Sequence, residues 1–283
     1  MSTATTITAA DINKLRQTTG AGMMDCRKAL VESDGDFEKA IDYLRKKGQK
    51  VAALRSDREA KEGVIIAKTT ADNKTGFIIT LACETDFVAK NSDFVAFAQS
   101  IMDAAIRNDV KSLEALQTTK LDGVTITDKI NDQVAKIGEK IQLARFERID
   151  ADAVAAYIHG AYRMGVLVGL TKNDAAVLEA GKDLAMQIAA MNPVAVDADS
   201  VSPDTVARER AIVTEQIKND PKMAGKPDEM IDKIAAGKLS AFFKENTLLA
   251  QPFVKDQAKT VGEYLKSVDA NVKVIQFKRV QLG

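Results

Sequence analysis

An acidic and a large aromatic side chain stand next to each other at Asp86-Phe87, within the stretch Cys83-Glu84-Thr85-Asp86-Phe87-Val88-Ala89-Lys90-Asn91. A carboxylate and an apolar wedge on consecutive residues are tools for prising at a charged, metal-containing site on another molecule. The same pair fits an ordinary turn, with Phe87 packed inward and Asp86 capping the next helix, and pattern alone favours that ordinary turn. Other chemical parts are few. His159, the only histidine, sits in Tyr157-Ile158-His159-Gly160-Ala161-Tyr162 without an orienting partner nearby in sequence. That context favours a hydrogen-bonded structural role over a general base. Gly20-Ala21-Gly22 begins like a dinucleotide motif but continues Met23-Met24-Asp25-Cys26, with no strand before it. Cys26 and Cys83 give neither a disulfide framework nor metal-ligand spacing. This inventory argues against an enzyme and for a protein that works by contact.

The elements around Asp86-Phe87 must position it. Gly76 to Ala82 reads as an apolar strand, and Phe94 to Met102 has apolar residues at helical spacing. Val64–Thr69 and Gly76–Leu81 flank 71–75 as a hairpin. Upstream, Thr8 with Asp11 three residues on predicts a capped helix through Thr18. Two more helices follow, Met23 to Ser33 and Phe37 to Lys47, with Gly48 as the expected stop. The basic residues from Arg45 to Lys61 are interleaved with acids and lack aromatics. They read as a solvated linker helix rather than a nucleic-acid site. One or two helices are expected between Lys111 and Lys140.

The second half repeats the plan. Ile141 to Ile149 alternates like a strand, Val154–Gly160 and Met164–Leu170 form a second hairpin, and Ala180 to Met191 gives an alanine-rich helix. The likeness of Gly76–Leu81 with its helix to Gly165–Leu170 with its own predicts two related α+β subdomains. The second copy has Thr171-Lys172-Asn173-Asp174 where the first has Cys83 to Phe87, so the fold itself does not require the acid-aromatic pair. Ser202 and Pro203 start a helix to Lys218. A loop over 219–227 and a helix from Asp228 to Glu245 complete a helical hairpin whose apolar faces bury each other or dock a partner. A short helix, Val261 to Lys266, and a last strand, Val272 to Val280, follow.

Composition bounds the whole. A chain of 283 residues predicts about two domains with room for a small module, and 46% hydrophobic residues suffice for real cores. Forty basic and forty acidic side chains cancel, leaving no global field for nucleic acid or an anionic membrane. No apolar run approaches the ~18 residues of a spanning helix. Residues 1–10 lack the basic start and apolar centre of a secretory signal, so a cytoplasmic protein is expected.

At this point the chain resembles the bacterial elongation factor Ts family, guanine nucleotide exchange factors for elongation factor Tu. The specific matches are Leu15 to Leu30 (LRQTTGAGMMDCRKAL) and Glu84 to Asn91 (ETDFVAKN). His159-Gly160, Gly165 to Val168 and Leu249 to Val254 add weaker ones. The resemblance implies an α+β fold. A three-helix bundle similar to ubiquitin-associated domains would span 1–55, with core subdomains over 56–140 and 141–283 that carry antiparallel sheets. A helical hairpin at about 202–247 would be inserted in the second.

The resemblance also reverses the reading of the turn. Thr85, Asp86, Phe87 and Val88 are expected to enter the GTPase domain of elongation factor Tu, with Phe87 as wedge and Asp86 disturbing the water shell of the bound magnesium. Secondary contacts are expected from Arg16, Gly22, Met23, Met24 and His159. The partner would be engaged in its GDP-bound and nucleotide-free forms. The chain would hold no cofactor or metal of its own, touch no nucleic acid or membrane, and could pair with a second copy through the hairpin. In one departure, the chain ends at Gln281-Leu282-Gly283, just after the last strand, where the family commonly has a further helix touching the partner. The alternative function is a binding or chaperone module that holds a translation factor without accelerating release. RNA binding through Arg45 to Lys61, steeply salt-dependent, is a third.

Overall fold

Residues 7–220 and 227–283 are described by a computed structural model. Most of the expected 219–227 loop and the first six residues of the chain lie outside the described residues.

Three helices open the chain: α1 (Ala9–Thr19), α2 (Met23–Glu32) and α3 (Phe37–Leu54). Thr8 caps α1 in the expected capping box, its side chain and that of Asp11 each accepting the other's backbone N–H. The bundle buries Leu15, Cys26, Ala29, Leu30, Ala40 and Leu44 in a core of its own. Then come β1 (Glu62–Thr69), β2 (Thr75–Cys83), the one-turn helix α4 (Asp86–Ala89) and α5 (Ser92–Arg107). After α6 (Leu113–Thr118), a ribbon of β3 (Lys120–Leu121) and β4 (Val124–Thr125) leads to α7 (Ile126–Ile137) and β5 (Ile141–Asp150).

The second half opens with β6 (Ala153–His159), β7 (Met164–Leu170) and α8 (Ala175–Met191). Helices α9 (Pro203–Lys218) and α10 (Asp228–Asn246) share a small core of Val213, Ile217, Ile231 and Ala235. A 3-10 turn at Leu248–Ala250 precedes β8 (Pro252–Phe253), β9 (Asp256–Thr260), α11 (Val261–Val268) and the final strand β10 (Val274–Gln281).

Two antiparallel sheets organise the body, in strand orders β1-β2-β5 and β10-β7-β6. Each is a hairpin whose second strand accepts the last strand of its unit. Ile141 to Ile149, expected to open the second half, therefore closes the first sheet instead, pairing from Cys83↔Ile141 to Thr75↔Asp150. An alternating strand does not announce its partner, and this partner is supplied by a long-range pairing.

Both central strands are buried on two faces, and their alternation divides the cores. Phe77, Ile79 and Leu81 face the helices of the first unit, and Val166, Val168 and Leu170 those of the second. Ile78 and Leu167 point between the sheets, into a shared layer with Ile65, Ile149, Val154 and Val280. The sheets approach so closely that a Cβ on Gly76 would stand 2.6 Å from Val154 Cγ1 and 2.9 Å from Leu167 Cδ2. One on Gly165 would stand 2.7 Å from Ile65 Cγ2.

Gly48 does not end α3, contrary to expectation. The helix runs through it to Leu54, and a Cβ there would meet the Asn131 carbonyl oxygen of α7 at 3.0 Å. The glycine lets two helix backbones touch, which offsets its helix-propensity cost of about 1 kcal/mol.

Candidate functional site

The stretch from Cys83 to Asn91 alternates between residues tied to the body and residues presented to solvent. Cys83 ends β2 fully buried, its thiol donating to the Thr85 carbonyl at 3.2 Å. Burial, with Glu139 and Glu62 adding to it, pushes this thiol up to about 12. Glu84 is half-buried. Its carboxylate accepts from the Lys140 backbone N–H at 2.5 Å, from Arg58 at 3.0 Å and from Arg55 at 3.4 Å. The Lys140 N–H first, then the two guanidinium groups, hold its carboxyl below the ordinary glutamate range.

Thr85 is clasped by one carboxylate. Its backbone N–H donates to Glu139 Oε2 at 3.0 Å and its hydroxyl to Glu139 Oε1 at 2.6 Å. The same hydroxyl oxygen accepts from the Val88 N–H and caps α4. Asp86 is thus not the cap that pattern alone suggested. It lies at the first position of α4, half-exposed, its carboxylate 2.6 Å from Lys90 Nζ. That contact holds its carboxyl below the usual range. Phe87 does not pack inward either: 84% of it is exposed, whereas Val88 turns back against the first core. Asn91 then caps α5 by accepting from the Asp93 and Phe94 N–H groups.

The expected secondary contacts lie on other surfaces. Arg16, Gly22, Met23 and Met24 are all exposed on the bundle, with Met24 70% exposed. His159, at the end of β6, is hydrogen-bonded as its sequence context suggested, through Nδ1 to the Tyr157 hydroxyl at 2.9 Å, but it is on the surface rather than structural core. The link from the bundle to the turn is the end of α3, through Arg55 and Arg58 on Glu84.

Four residues that hold the turn escaped the sequence reading: Arg55, Arg58, Glu139 and Lys140. The one local signal was Gly138, which ends α7 in the left-handed conformation (φ 83) and so starts a new segment at Glu139. The main grooves lie elsewhere; one of about 440 Å³ runs between the bundle and α7, past Thr18, Leu44, Arg45, Lys129 and Asp132. No described helix is long and apolar enough to cross a membrane.

Fold and site together define a class: an α+β protein of two repeated sheet-and-helix units whose candidate site is a protruding turn, not a cavity. The model of the family described as Elongation factor TS matches residues 84–283. Proteins named Elongation factor Ts from Flavobacterium psychrophilum and Christiangramia forsetii are 49% and 47% identical over 278 and 277 residues, covering 98% of this chain and 99% of each relative. The counterpart from Amoebophilus asiaticus is 49% identical over 279 residues with the same coverage. The chain belongs to the elongation factor Ts family of translation elongation factors.

Proposed function

We propose that the chain binds elongation factor Tu in its GDP-bound and nucleotide-free forms and accelerates GDP release by inserting Phe87 and Asp86 beside the partner's magnesium and phosphates. The observation that carries this reading is Phe87, an aromatic ring left 84% exposed on a turn clamped on both sides. A ring already outside and already held loses little conformational freedom on docking, so more of its burial energy is available to the complex. Full burial of such a side chain contributes about 1.5–3 kcal/mol.

Asp86 brings a charged carboxylate to the same place. Its partner Lys90 is exposed and four residues on, so the pair is a weak surface one that opens readily. Mg²⁺ demands near-ideal octahedral geometry and keeps several waters. A carboxylate competing for those waters loosens the metal and, with it, the diphosphate. The coupling is reciprocal: whatever weakens GDP binding makes GDP weaken binding of this chain by the same factor. The chain itself catalyses no covalent step in this scheme.

The test is release of a fluorescent GDP analogue from elongation factor Tu by wild type, Phe87→Ala and Asp86→Ala. Loss of the wedge is expected to slow stimulated release by about 10- to 150-fold, the rate equivalent of the burial energy. Thermal stability should stay within about 0.5 kcal/mol, as for other exposed positions. A wild-type rate from Phe87→Ala removes the ring from the mechanism. A complex that forms without faster release would leave a binding or chaperone module.

A further inference from the structure

We propose that Glu139 is a positioning residue for Phe87, and that with Lys140 it joins the Asp86-Phe87 turn to the end of the N-terminal bundle. The consequence for exchange rests on the function proposed above; the geometry does not.

Helix α4 has four residues, too few to hold its own direction in water. Its orientation must be imposed from outside, and Glu139 stands where that is done. One carboxylate takes both the N–H and the hydroxyl of Thr85, the residue that caps α4. Bonds to an ionised acceptor are shorter and stronger than neutral ones, and two of them fix an angle as well as a distance. With Val88 packed on the core at the other side, the helical turn is held at two points and Phe87 projects between them.

Lys140 extends the hold. Its backbone N–H binds Glu84, and its ammonium group donates to the carbonyl oxygens of Ser56 at 2.6 Å and Arg58 at 2.8 Å. Those carbonyls follow directly on α3, the last helix of the bundle, while Arg55 and Arg58 return to Glu84 from the same segment. Hydrogen bonds therefore run from the end of α3 to Lys140 and Glu84, and the two chain neighbours of these residues, Glu139 and Thr85, are hydrogen-bonded to each other. Contacts made by the bundle and by Phe87 are thereby set in one frame. A purely structural network would stabilise the chain but leave the wedge's direction to α4 itself.

The chain contains no tryptophan, so Phe87→Trp creates a single fluorescent reporter at the site. Time-resolved anisotropy of this variant, alone in solution, is compared with the same variant carrying Glu139→Ala, Glu139→Gln or Thr85→Val. The expected result is fast, wide local motion with Glu139→Ala and largely restored restraint with Glu139→Gln, whose amide oxygen can accept from the Thr85 N–H while its NH2 donates to the Thr85 hydroxyl oxygen. Thr85→Val, which leaves the carboxylate and the backbone bond in place, should fall between. In the GDP-release assay, in the native Phe87 background, Glu139→Ala should lower the rate at saturating chain about tenfold or more, with a smaller change in the half-saturating concentration, because misplacement acts after docking. Unchanged anisotropy in Glu139→Ala, whether or not its melting point falls, overturns the proposal. If the ring loosens as expected but Phe87→Ala exchanges normally, the positioning role stands and the exchange reading fails.

Discussion

Replacing Gly76 by alanine tests the joint on which the two halves rest. The added Cβ would lie 2.6 Å from Val154 Cγ1 and 2.9 Å from Leu167 Cδ2, inside any normal contact. Neither neighbour has room to yield: both are almost fully buried between the sheets, and valine is stiff at χ1. Two effects compete. Removing a strand glycine gains about 0.5–1 kcal/mol of backbone entropy. Overpacking a closed core costs about 1–3 kcal/mol, and at this separation it wins. The net loss, up to about 2.5 kcal/mol, converts at about 2–4 °C per kcal/mol into a melting point lower by as much as about 10 °C. Gly165→Ala meets Ile65 at 2.7 Å in the same layer and should behave alike. The double variant should lose less than the sum, since sheets already forced apart accept the second methyl more easily. Differential scanning calorimetry reads the shift. Exchange at 25 °C should be untouched, because Gly76 and the turn lie at opposite ends of β2. An equal or higher melting point for Gly76→Ala would refute this account of the sheet packing.

Two further outcomes follow from the ionisable groups. Because the folded Glu84 carboxyl lies below its ordinary value of 4.5, its contribution to stability is complete above that pH and is lost as pH falls through the folded value. The restraint on a tryptophan at position 87 should therefore be flat from pH 8 down towards the ordinary glutamate value of 4.5 and be lost only below it, and Glu84→Gln should shrink that acid limb; a change centred near neutrality would contradict the assignment. Cys26 and Cys83 are buried, and burial pushes both thiol pKa values up, for Cys83 to about 12, so little thiolate forms. A bulky aromatic disulfide at pH 8 should label neither until the protein unfolds, since the thiolate is the reactive form, and prompt labelling under native conditions would show the burial to be wrong.

What the sequence made legible was local. Thr8 with Asp11, Ser202 with Pro203, and the run Met164 to Leu170 each carry their signal within a few residues, and each forms what its pattern implies. The ribbons β3–β4 and β8–β9 include two-residue strands, too short to show any period. Gly48 looks like a stop because its reason for being glycine, the Asn131 carbonyl of α7, is far away in sequence. Phe87 was misjudged on pattern for a sound physical cause: a large apolar ring normally goes inside. Only the family resemblance pointed it outward. Glu139 was invisible for a different reason, since its partner Thr85 is 54 positions away and nothing periodic relates them.

The two units differ at the place where function is proposed, and the difference has a measurable size. In each, the central strand leads to a capped helix, α5 with Asn91 as its cap and α8 with Asp174. Three residues, Thr171-Lys172-Asn173, separate strand from cap in the second unit, and their side chains are tied back to the molecule's own surface. Lys172 pairs with Asp269, and Asn173 donates to the Asp72 carbonyl at the tip of the first hairpin at 2.8 Å. Seven residues, Glu84 to Lys90, separate strand from cap in the first unit, and the excess equals the four residues of α4. The core has no need of that additional turn, since the second unit makes the same passage without it. Nor can the turn be held as the second unit's passage is, by its own side chains bonding back to the body, if Asp86 and Phe87 are to face out. Restraint must then come from Glu84 and Thr85 before it, grasped by Lys140 and Glu139. The extra helical turn and its external clasp are two halves of one arrangement, by which a strand-to-helix connection common to both units becomes a rigid projection in one.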